Sequence, residues 1–300
     1  MPKTKNLSAA RVIGIVFKYL IIAVMVLYCI TLLVPLFWML SSSVKSDFEF
    51  GYNTFGFPKE FIFTNYSEVF SKLTMRLFRG AVEYEYGLFD MAFYSLIYSV
   101  GISAFTVFVT VLVAYVVSKY RFPGRNFLYA LGIFVMVVPI LGSMPSTMQV
   151  KKAFGVYNNM LLTILTAPSA AFSGVNFLLF YAAFKGISWN YAEAVFIDGG
   201  GHWSVLFKIM LPMVFPTMTA LFVLMFLGAW NDYSVFLIWL PSYPSLSIGI
   251  YMFQQNASQY GVTMPVIMAG FVIIIIPTVT LYFLTQKVIM TRLNVGGLKG

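Results

Sequence analysis

The chain has 300 residues, of which 60% are hydrophobic and 10% are charged, and its net charge is +9 at pH 7. Soluble domains carry about 25% charged residues, so this composition excludes an ordinary soluble globule and a disordered chain. The basic residues lie between apolar stretches and form no polar surface for nucleic acid. One uncharged stretch covers 54 residues, from Tyr233 to Gln286. Because a bilayer core takes about 20 apolar helical residues, we predict an all-α, polytopic membrane protein.

Six membrane-spanning helices are predicted from the apolar stretches. In chain order they cover approximately residues 16–40, 91–118, 127–141, 165–184, 213–240 and 264–286. The longest stretch is divided between the last two helices, since Pro241, Pro244 and the polar residues after Tyr251 interrupt it. The first helix is too long for a signal peptide and no cleavage site follows it, so we expect it to stay uncleaved, with a kink at Pro35.

The distribution of basic residues predicts the orientation. With the N-terminus inside, the inner segments hold twelve Lys and Arg residues and two acids, Glu193 and Asp198. The positive-inside rule therefore places both termini in the cytoplasm. We expect one transmembrane domain over residues 1–300. Its parts outside the membrane are an N-terminus at 1–15, an outer segment at 45–90, an inner loop at 185–212, an outer loop at 241–263 and a cytoplasmic tail at 287–300.

The inner loop at 185–212 is longer than a tight connection between helices requires. Asn190 is predicted to cap a short helix, with Glu193 completing a capping box. The helix should end near Asp198, because the three glycines at 199–201 permit left-handed backbone. So short a helix is marginal in water, so it must pack on something. We expect it to present its small residues, among them Ala192, to a cytoplasmic partner.

The motif in this loop resembles the EAA loop of ABC importer permeases. It consists of Glu193-Ala194-Val195, then Asp198-Gly199, nine residues, Ile209, one residue and Leu211-Pro212. It departs from the family pattern only in Val195, which replaces the second alanine. The resemblance implies that the loop is a coupling helix that fits a groove on an ATP-hydrolysing subunit, and that Pro212 starts the fifth span. The implied coupling residues are Glu193, Ala194, Val195, Asp198, Gly199, Ile209, Leu211 and Pro212.

Further segments resemble the carbohydrate branch of these permeases, of the maltose G-type. They are Thr64-Asn65-Tyr66, Ala114-Tyr115 with the basic loop at 121–125, and the glycine-rich tail at 293–300. The tail is either a frayed end or, as the resemblance implies, a segment inserted between ATPase subunits through Gly296, Gly297 and Lys299. Residues 78–90 have no counterpart that we can assign.

The resemblance implies a permease subunit of an ABC importer in the bacterial plasma membrane, which moves a di- or oligosaccharide inward by alternating access. Its implied partners are a second homologous permease, two ATP-binding subunits, an extracytoplasmic solute-binding protein and the lipid bilayer. It implies no catalytic residue, cofactor or metal in this chain. Import of glycerol phosphate or another polar solute is an alternative. An ion-coupled secondary transporter is a weaker one, because such transporters need ionisable groups at mid-membrane.

Three further predictions concern individual residues and one loop. Trp230, Asn231 and Asp232 either line a sugar path, where aromatic faces stack on pyranose rings, or make a structural hydrogen bond between helices. The outer loop at 241–263 either contacts a docked binding protein or the solute, or is a plain turn. His202, the single histidine in the sequence, is expected to be a loop residue, since one histidine cannot form a metal site.

Overall fold

A computed structural model describes residues 9–79, 82–138 and 142–293. Its elements, in chain order, are α1 (Ala9–Ser43), α2 (Asp47–Tyr52), α3 (Thr64–Lys72), β1 (Met75–Arg79), β2 (Val82–Tyr86), α4 (Leu88–Lys119), α5 (Arg125–Val137), α6 (Met144–Ala153), α7 (Met160–Thr166), α8 (Gly174–Lys185), α9 (Asn190–Ile197), α10 (His202–Ser204), α11 (Leu211–Asn231), α12 (Tyr233–Ile238), α13 (Leu246–Gln255), α14 (Ala257–Tyr260) and α15 (Met264–Leu293). The chain divides into two compact units. One comprises Met1–Lys72 with Asn256–Ile273, and the other Leu73–Gln255 with Ile274–Gly300.

Four of the described helices are long and apolar enough to cross a membrane. They are Gly14–Ser43, Leu88–Lys119, His202–Asn231 and Met264–Val288. Two shorter apolar helices, Arg125–Val137 and Gly174–Lys185, lie where the third and fourth spans were predicted. The architecture is therefore the predicted polytopic helical one, and each of the six predicted spans overlaps an apolar helix, although the fourth and fifth are interrupted.

In the first unit, a buried lysine organises the chain that follows α1. Lys45 is 0% exposed, and its Nζ donates hydrogen bonds to the carbonyl oxygens of Asn53 at 2.6 Å, Thr54 at 3.2 Å and Gly56 at 2.7 Å. Asn65 donates from Nδ2 to the carbonyls of Ser43 at 2.9 Å and of Lys45 at 2.8 Å. These bonds close residues 43–65 into a compact segment, which we call the lysine-centred segment.

In the second unit, α4, α8 and α11 form the core. Apolar side chains at helical spacing on each helix meet there, because a helix that is apolar on several faces is stable only when it is buried or in lipid. The core also takes in the short helix α9 and the turn before α11. Its fully buried members include Val111, Phe180, Phe184, Ala192 and Met210.

The fourth predicted span is interrupted, which corrects the expectation of one continuous helix over 165–184. α7 ends at Thr166, a 3-10 turn follows at Ala167–Ala170, and α8 begins only at Gly174. Pro168 lies in the turn with non-helical backbone, and Gly174 has φ +82. Proline removes a helix hydrogen bond and glycine permits the left-handed angle, so these two residues explain the break.

The fifth predicted span, 213–240, is also divided. Asp232 has extended backbone and ends α11, after which α12 forms a separate six-residue helix. The region predicted as outer loop 241–263 contains the helices α13 and α14. The backbone N–H of Leu246, at the start of α13, donates to Ser95 Oγ on α4 at 2.8 Å. The start of α13 is therefore packed on a long helix.

A small antiparallel pair of strands, β1 and β2, overlaps the stretch at 78–90 to which no counterpart was assigned. β1 pairs with β2 in the register Met75↔Tyr86 to Arg79↔Val82. Tyrosines alternate with acids on β2, a pattern typical of a strand with two different faces. The pair adds two short strands to an otherwise helical chain.

Candidate partner-docking site

The start of α9 differs from the predicted capping box. Trp189, the residue before the helix, already has helical backbone with φ −69 and ψ −19. Asn190 is therefore the first residue inside the helix, and its backbone N–H donates to Ser188 Oγ at 3.3 Å. The N-cap position is therefore occupied by Trp189, and no side chain among the described residues caps the helix there. The predicted capping box of Asn190 with Glu193 is wrong. The helix relies on packing instead.

The end of α9 lies where the glycines predicted it. Gly199 has φ +79, and its N–H donates to the carbonyl of Phe196 at 3.1 Å, while the N–H of Gly200 donates to Val195 at 2.8 Å. These two bonds form a Schellman motif, in which a left-handed glycine closes the last helical turn. Asp198 is the C-cap residue. The chain direction after α9 is therefore set by Gly199.

The helix α9 has a buried and an exposed face. Ala192 is 0% exposed and belongs to the core of the second unit, and Val195 and Phe196 pack against the same core. The expectation that Ala192 faces a partner is therefore wrong. The exposed residues are Tyr191, Glu193, Ala194, Ile197 and Asp198. Ile197 is 85% exposed, an unusual environment for an isoleucine outside lipid.

Aromatic rings hold α9 against the end of α4. Tyr120 Oη and His202 Nδ1 are 2.9 Å apart, and the His202 ring lies 5.0 Å from the Phe196 ring, edge to face. The Trp189 ring lies 5.8 Å from the Tyr120 ring. Lys119 Nζ donates to the carbonyl of Ile187 in the same place. We call Tyr120, Trp189, Phe196 and His202 the aromatic clamp.

His202 is thus more than the loop residue that the sequence suggested, since it begins α10 and joins α9 to the chain after α4. Sequence reasoning missed the clamp because its members are up to 82 positions apart. The signal available was the density of rings on both sides of the glycines. Rings in such numbers near a short helix indicate packing that the helix needs.

The remaining motif residues lie on the helical run that leads into α11. Val205–Met210 has π-helical hydrogen bonding, and α11 continues from it at Leu211 with Pro212 in its first turn. The helix of the fifth span therefore begins at His202, ten residues before the predicted start at Pro212. Ile209 and Leu211 are half-buried and Pro212 is exposed. Pro212 follows shortly after the π-helical stretch, and proline commonly accompanies such an interruption of the regular helical hydrogen bonding.

The predicted sugar-path residues have structural contacts. Trp230 is 2% exposed, and its Nε1 donates to the carbonyl of Ile274 on α15 at 3.1 Å. Asn231 donates back to Leu227 one turn earlier at 2.8 Å. Asp232 Oδ1 accepts from the backbone N–H groups of Ser234 at 2.9 Å and Val235 at 3.3 Å, which caps α12. For Trp230 the structure agrees with the interhelical hydrogen bond, and for Asp232 it shows a helix cap.

The tail residues Gly296, Gly297 and Lys299 lie outside the described residues. Their contact with an ATPase stays a prediction.

The fold and the glycine-ended helix define a class, the polytopic membrane component of a transport system. Residues 107–295 match the family described as binding-protein-dependent transport system inner membrane component. The chain belongs to this family. It is a multi-pass membrane protein of an ABC transport system, and the resemblance found in the EAA-like loop is confirmed at the level of the family.

Two curated relatives cover most of the chain. The diacetylchitobiose uptake system permease protein NgcG of Streptomyces coelicolor is 27% identical, over 91% of this chain and 86% of its own length. The arabinooligosaccharides transport system permease protein AraQ of Bacillus subtilis is 28% identical, over 89% of this chain and 91% of its own. Both names describe permease components of saccharide transport systems.

A solved structure shares the fold. A chain of a bacterial ABC transporter involved in the import of the acidic polysaccharide alginate superposes with a TM-score of 0.73 at 21% identity, covering 96% of this chain and 99% of that one. At this identity the likeness establishes the fold alone. It confirms the predicted polytopic, all-helical membrane fold.

Proposed function

We propose that this chain is a permease subunit of an ABC importer for a di- or oligosaccharide. The observation that carries the proposal is the exposed face of α9, where Ile197 and Ala194 lie outside the core beside Glu193 and Asp198. A face with an apolar centre and charges at its edge is typical of an interface that a partner covers. The saccharide specificity of the curated relatives supports the solute class.

The partners in this proposal are a second homologous permease, two ATP-binding subunits and an extracytoplasmic solute-binding protein. In the most apolar part of the helix Gly14–Ser43, no residue is buried against the rest of the described chain. Lipid or a second permease must therefore cover it. ATP hydrolysis takes place on the partner subunits, and the chain itself performs no covalent chemistry.

Alternating access follows from how α9 is attached. The face opposite to the docking face is buried against α4, α8 and α11, so a displacement of α9 acts on the core of the second unit. Packed cores have discrete arrangements and do not deform continuously. Closure of the ATPase pair would therefore favour one arrangement of these helices, and its opening the other.

Site-specific cross-linking in the assembled transporter tests this proposal. The single cysteine, Cys29, is exposed and is first replaced by serine. Ala194→Cys then places a thiol on the exposed face of α9, and Ala192→Cys places one on the buried face of the same helix as a matched control. We expect Ala194→Cys to cross-link to the ATP-binding subunit and Ala192→Cys to remain unlinked. Saccharide uptake should require ATP.

Two results would overturn the proposal. The first is failure of Ala194→Cys to reach an ATPase in a complex that contains one. The second is uptake that survives loss of ATP and stops when the ion gradient is removed, which would favour the secondary transporter.

A further inference from the structure

A chain of hydroxyl and imidazole groups connects the interior of α4 to the docking loop. Tyr115, buried on α4, has its Oη 3.2 Å from Tyr120 Oη, and Tyr120 Oη is 2.9 Å from His202 Nδ1. Tyr120 follows directly after the last residue of α4. Two hydrogen bonds in sequence therefore join a buried position of α4 to the first residue of the helical run through α11.

Ring contacts surround this chain of bonds on the α9 side. Phe196, on α9, lies 5.0 Å from His202, and Trp189, before α9, lies 5.8 Å from Tyr120 and 6.3 Å from Phe196. On the α8 side, Phe184 lies 5.4 Å from Tyr115. Edge-to-face pairs at these separations each add stabilisation beyond area burial. The clamp thus joins the end of α4, the helix α9 and the helix that starts at His202, while Tyr115 extends the contacts to α8 through Phe184.

We infer that Tyr120 and His202 are positioning residues that transmit the displacement of α9 to α4, the second span. This inference rests on the proposed function, in which α9 is the docking helix. The loop at 185–212 connects covalently only to α8 and to the helix of α11. The connections to α4 are non-covalent: the Tyr120–His202 bond, the bond from Lys119 Nζ to the carbonyl of Ile187, and the packing of Ala192 in the core. Of these, the Tyr120–His202 bond joins α4 directly to the start of the helix that leads into α11, on the far side of α9.

The bond is suited to this role because of its position and direction. His202 is exposed, so its hydrogen bond is only a small part of the free energy of folding. An apolar contact, by comparison, has no preferred direction. A hydrogen bond with one donor and one acceptor fixes distance and orientation. Loss of the bond should therefore loosen the connection between α9 and α4 and leave the apolar core intact.

The experiment measures coupling in the purified transporter with its ATP-binding subunits, its binding protein and saccharide in lipid vesicles. Tyr120→Phe removes one hydroxyl and keeps the ring, and His202→Leu removes the imidazole. We expect each to raise the ATP hydrolysed per saccharide transported by about three- to tenfold, the factor that loss of one hydrogen bond produces. Tyr129→Phe is the matched control, since Tyr129 contacts Tyr181 at 4.6 Å through its ring.

Two further variants separate positioning from packing. His202→Asn keeps a polar atom near the place of Nδ1 and should restore most of the coupling that His202→Leu loses. The double variant Tyr120→Phe, His202→Leu should be no worse than Tyr120→Phe alone, because that single change already removes the bond to His202 together with the bond to Tyr115. A role in stability alone would lower the amount of assembled transporter and leave the ATP consumed per saccharide unchanged.

The outcomes distinguish this inference from the proposed function. Normal ATP consumption per saccharide in Tyr120→Phe and His202→Leu, with Ala194→Cys still cross-linked to the ATPase, would overturn the inference and leave the proposed function standing. Equal effects of Tyr129→Phe and Tyr120→Phe would also overturn it. Absence of the Ala194→Cys cross-link would remove the proposed function and the inference together.

Discussion

Two segments outside the long helices are ordered by opposite means. The lysine-centred segment is held by a buried cation and backbone carbonyls, with Lys45 as its centre. The EAA-like loop at 185–212 is held by rings, by one tyrosine–histidine bond and by a glycine turn. The first segment satisfies its polar groups within about twenty residues. The second obtains its contacts from the ends of the long helices.

The difference shows which segment can transmit force. Residues that bond to one another, as around Lys45, keep their own shape when the surroundings move. Residues that bond to three helices must move when those helices move, and must move them in return. The EAA-like loop is therefore the segment in which small changes should reach transport. Changes in the lysine-centred segment should reach stability first.

Gly199→Asp should have the largest effect and should abolish most of the transport. Gly199 has φ +79, and a side chain added there would meet no atom within 4 Å. The loss of transport would therefore come from the strained backbone and from the new charge on the docking face. Gly201→Asp is the matched control, since Gly201 has φ −98 and precedes a helix, where aspartate is favourable. Uptake and co-purification of the ATPase are measured. Equal loss in both variants would contradict the backbone explanation.

Lys45→Met should have the largest effect on stability. It removes a buried cation that donates to three carbonyl oxygens, of which that of Thr54 keeps a bond from Trp38 Nε1 at 2.9 Å, and we expect a loss of about 3 kcal/mol. Lys59→Met is the control, because Lys59 is exposed and lies over the Tyr52 ring at 5.0 Å. Thermal unfolding of the purified protein gives the comparison. If the assembled Lys45→Met protein consumed extra ATP per saccharide, the contrast between the two segments would not hold.

Asp232→Ala should have an intermediate effect, of about 1 kcal/mol, because it removes the cap of α12. Asp232→Ser keeps a capping oxygen and removes the carboxylate. Thermal unfolding and a panel of saccharides are measured for both variants. If Asp232→Ser restored the unfolding temperature that Asp232→Ala loses, the result would support the role of Asp232 as a helix cap. An altered saccharide preference in both variants would instead indicate that Asp232 lines the sugar path.

The smallest expected effect concerns acid pH. The hydrogen bond from the backbone N–H of Lys59, at 2.8 Å, holds the pKa of Glu49 below its usual range. Because its pKa is lowered in the folded state, ionised Glu49 stabilises the fold at every pH above the pKa that it has in the unfolded chain. This contribution is lost as the pH falls through the lowered pKa of the folded state. Glu49→Gln should therefore flatten the fall in unfolding temperature at acid pH. Glu60→Gln, at an exposed carboxyl, should retain it.

The long helices could be predicted from the sequence because their signal is local. α4 spans Leu88–Lys119 where 91–118 was predicted, since an uncharged run of this length has few alternatives. The end of α9 at Gly199 was predictable for the same reason, as glycine is the preferred left-handed residue there. The start of α9 could not be predicted in this way. Trp189 already has helical backbone and the N–H of Asn190 bonds to Ser188, so the cap position lies one residue before Asn190.

The contacts that give the docking site its shape could not be predicted in this way. Tyr120 and His202 are far apart in sequence, and a single sequence carries no record of which distant residues meet. The same limit explains the buried position of Ala192, since its neighbours on α4 and α8 decide which face of α9 is covered. Asp232 is a different case, because its capping position before a short helix was a local signal.

The π-helical turn at Val205–Met210 has a consequence for chain length. In it, the backbone N–H of Leu211 donates to the carbonyl of Leu206, five residues back. Such a turn contains one residue more than an α-turn. Deleting one residue within it would therefore let the helix return to ordinary winding with little rotation of the segment before it. The same deletion farther along α11, where each turn already has the ordinary number of residues, would rotate the docking helix about the axis of α11 by about 100°.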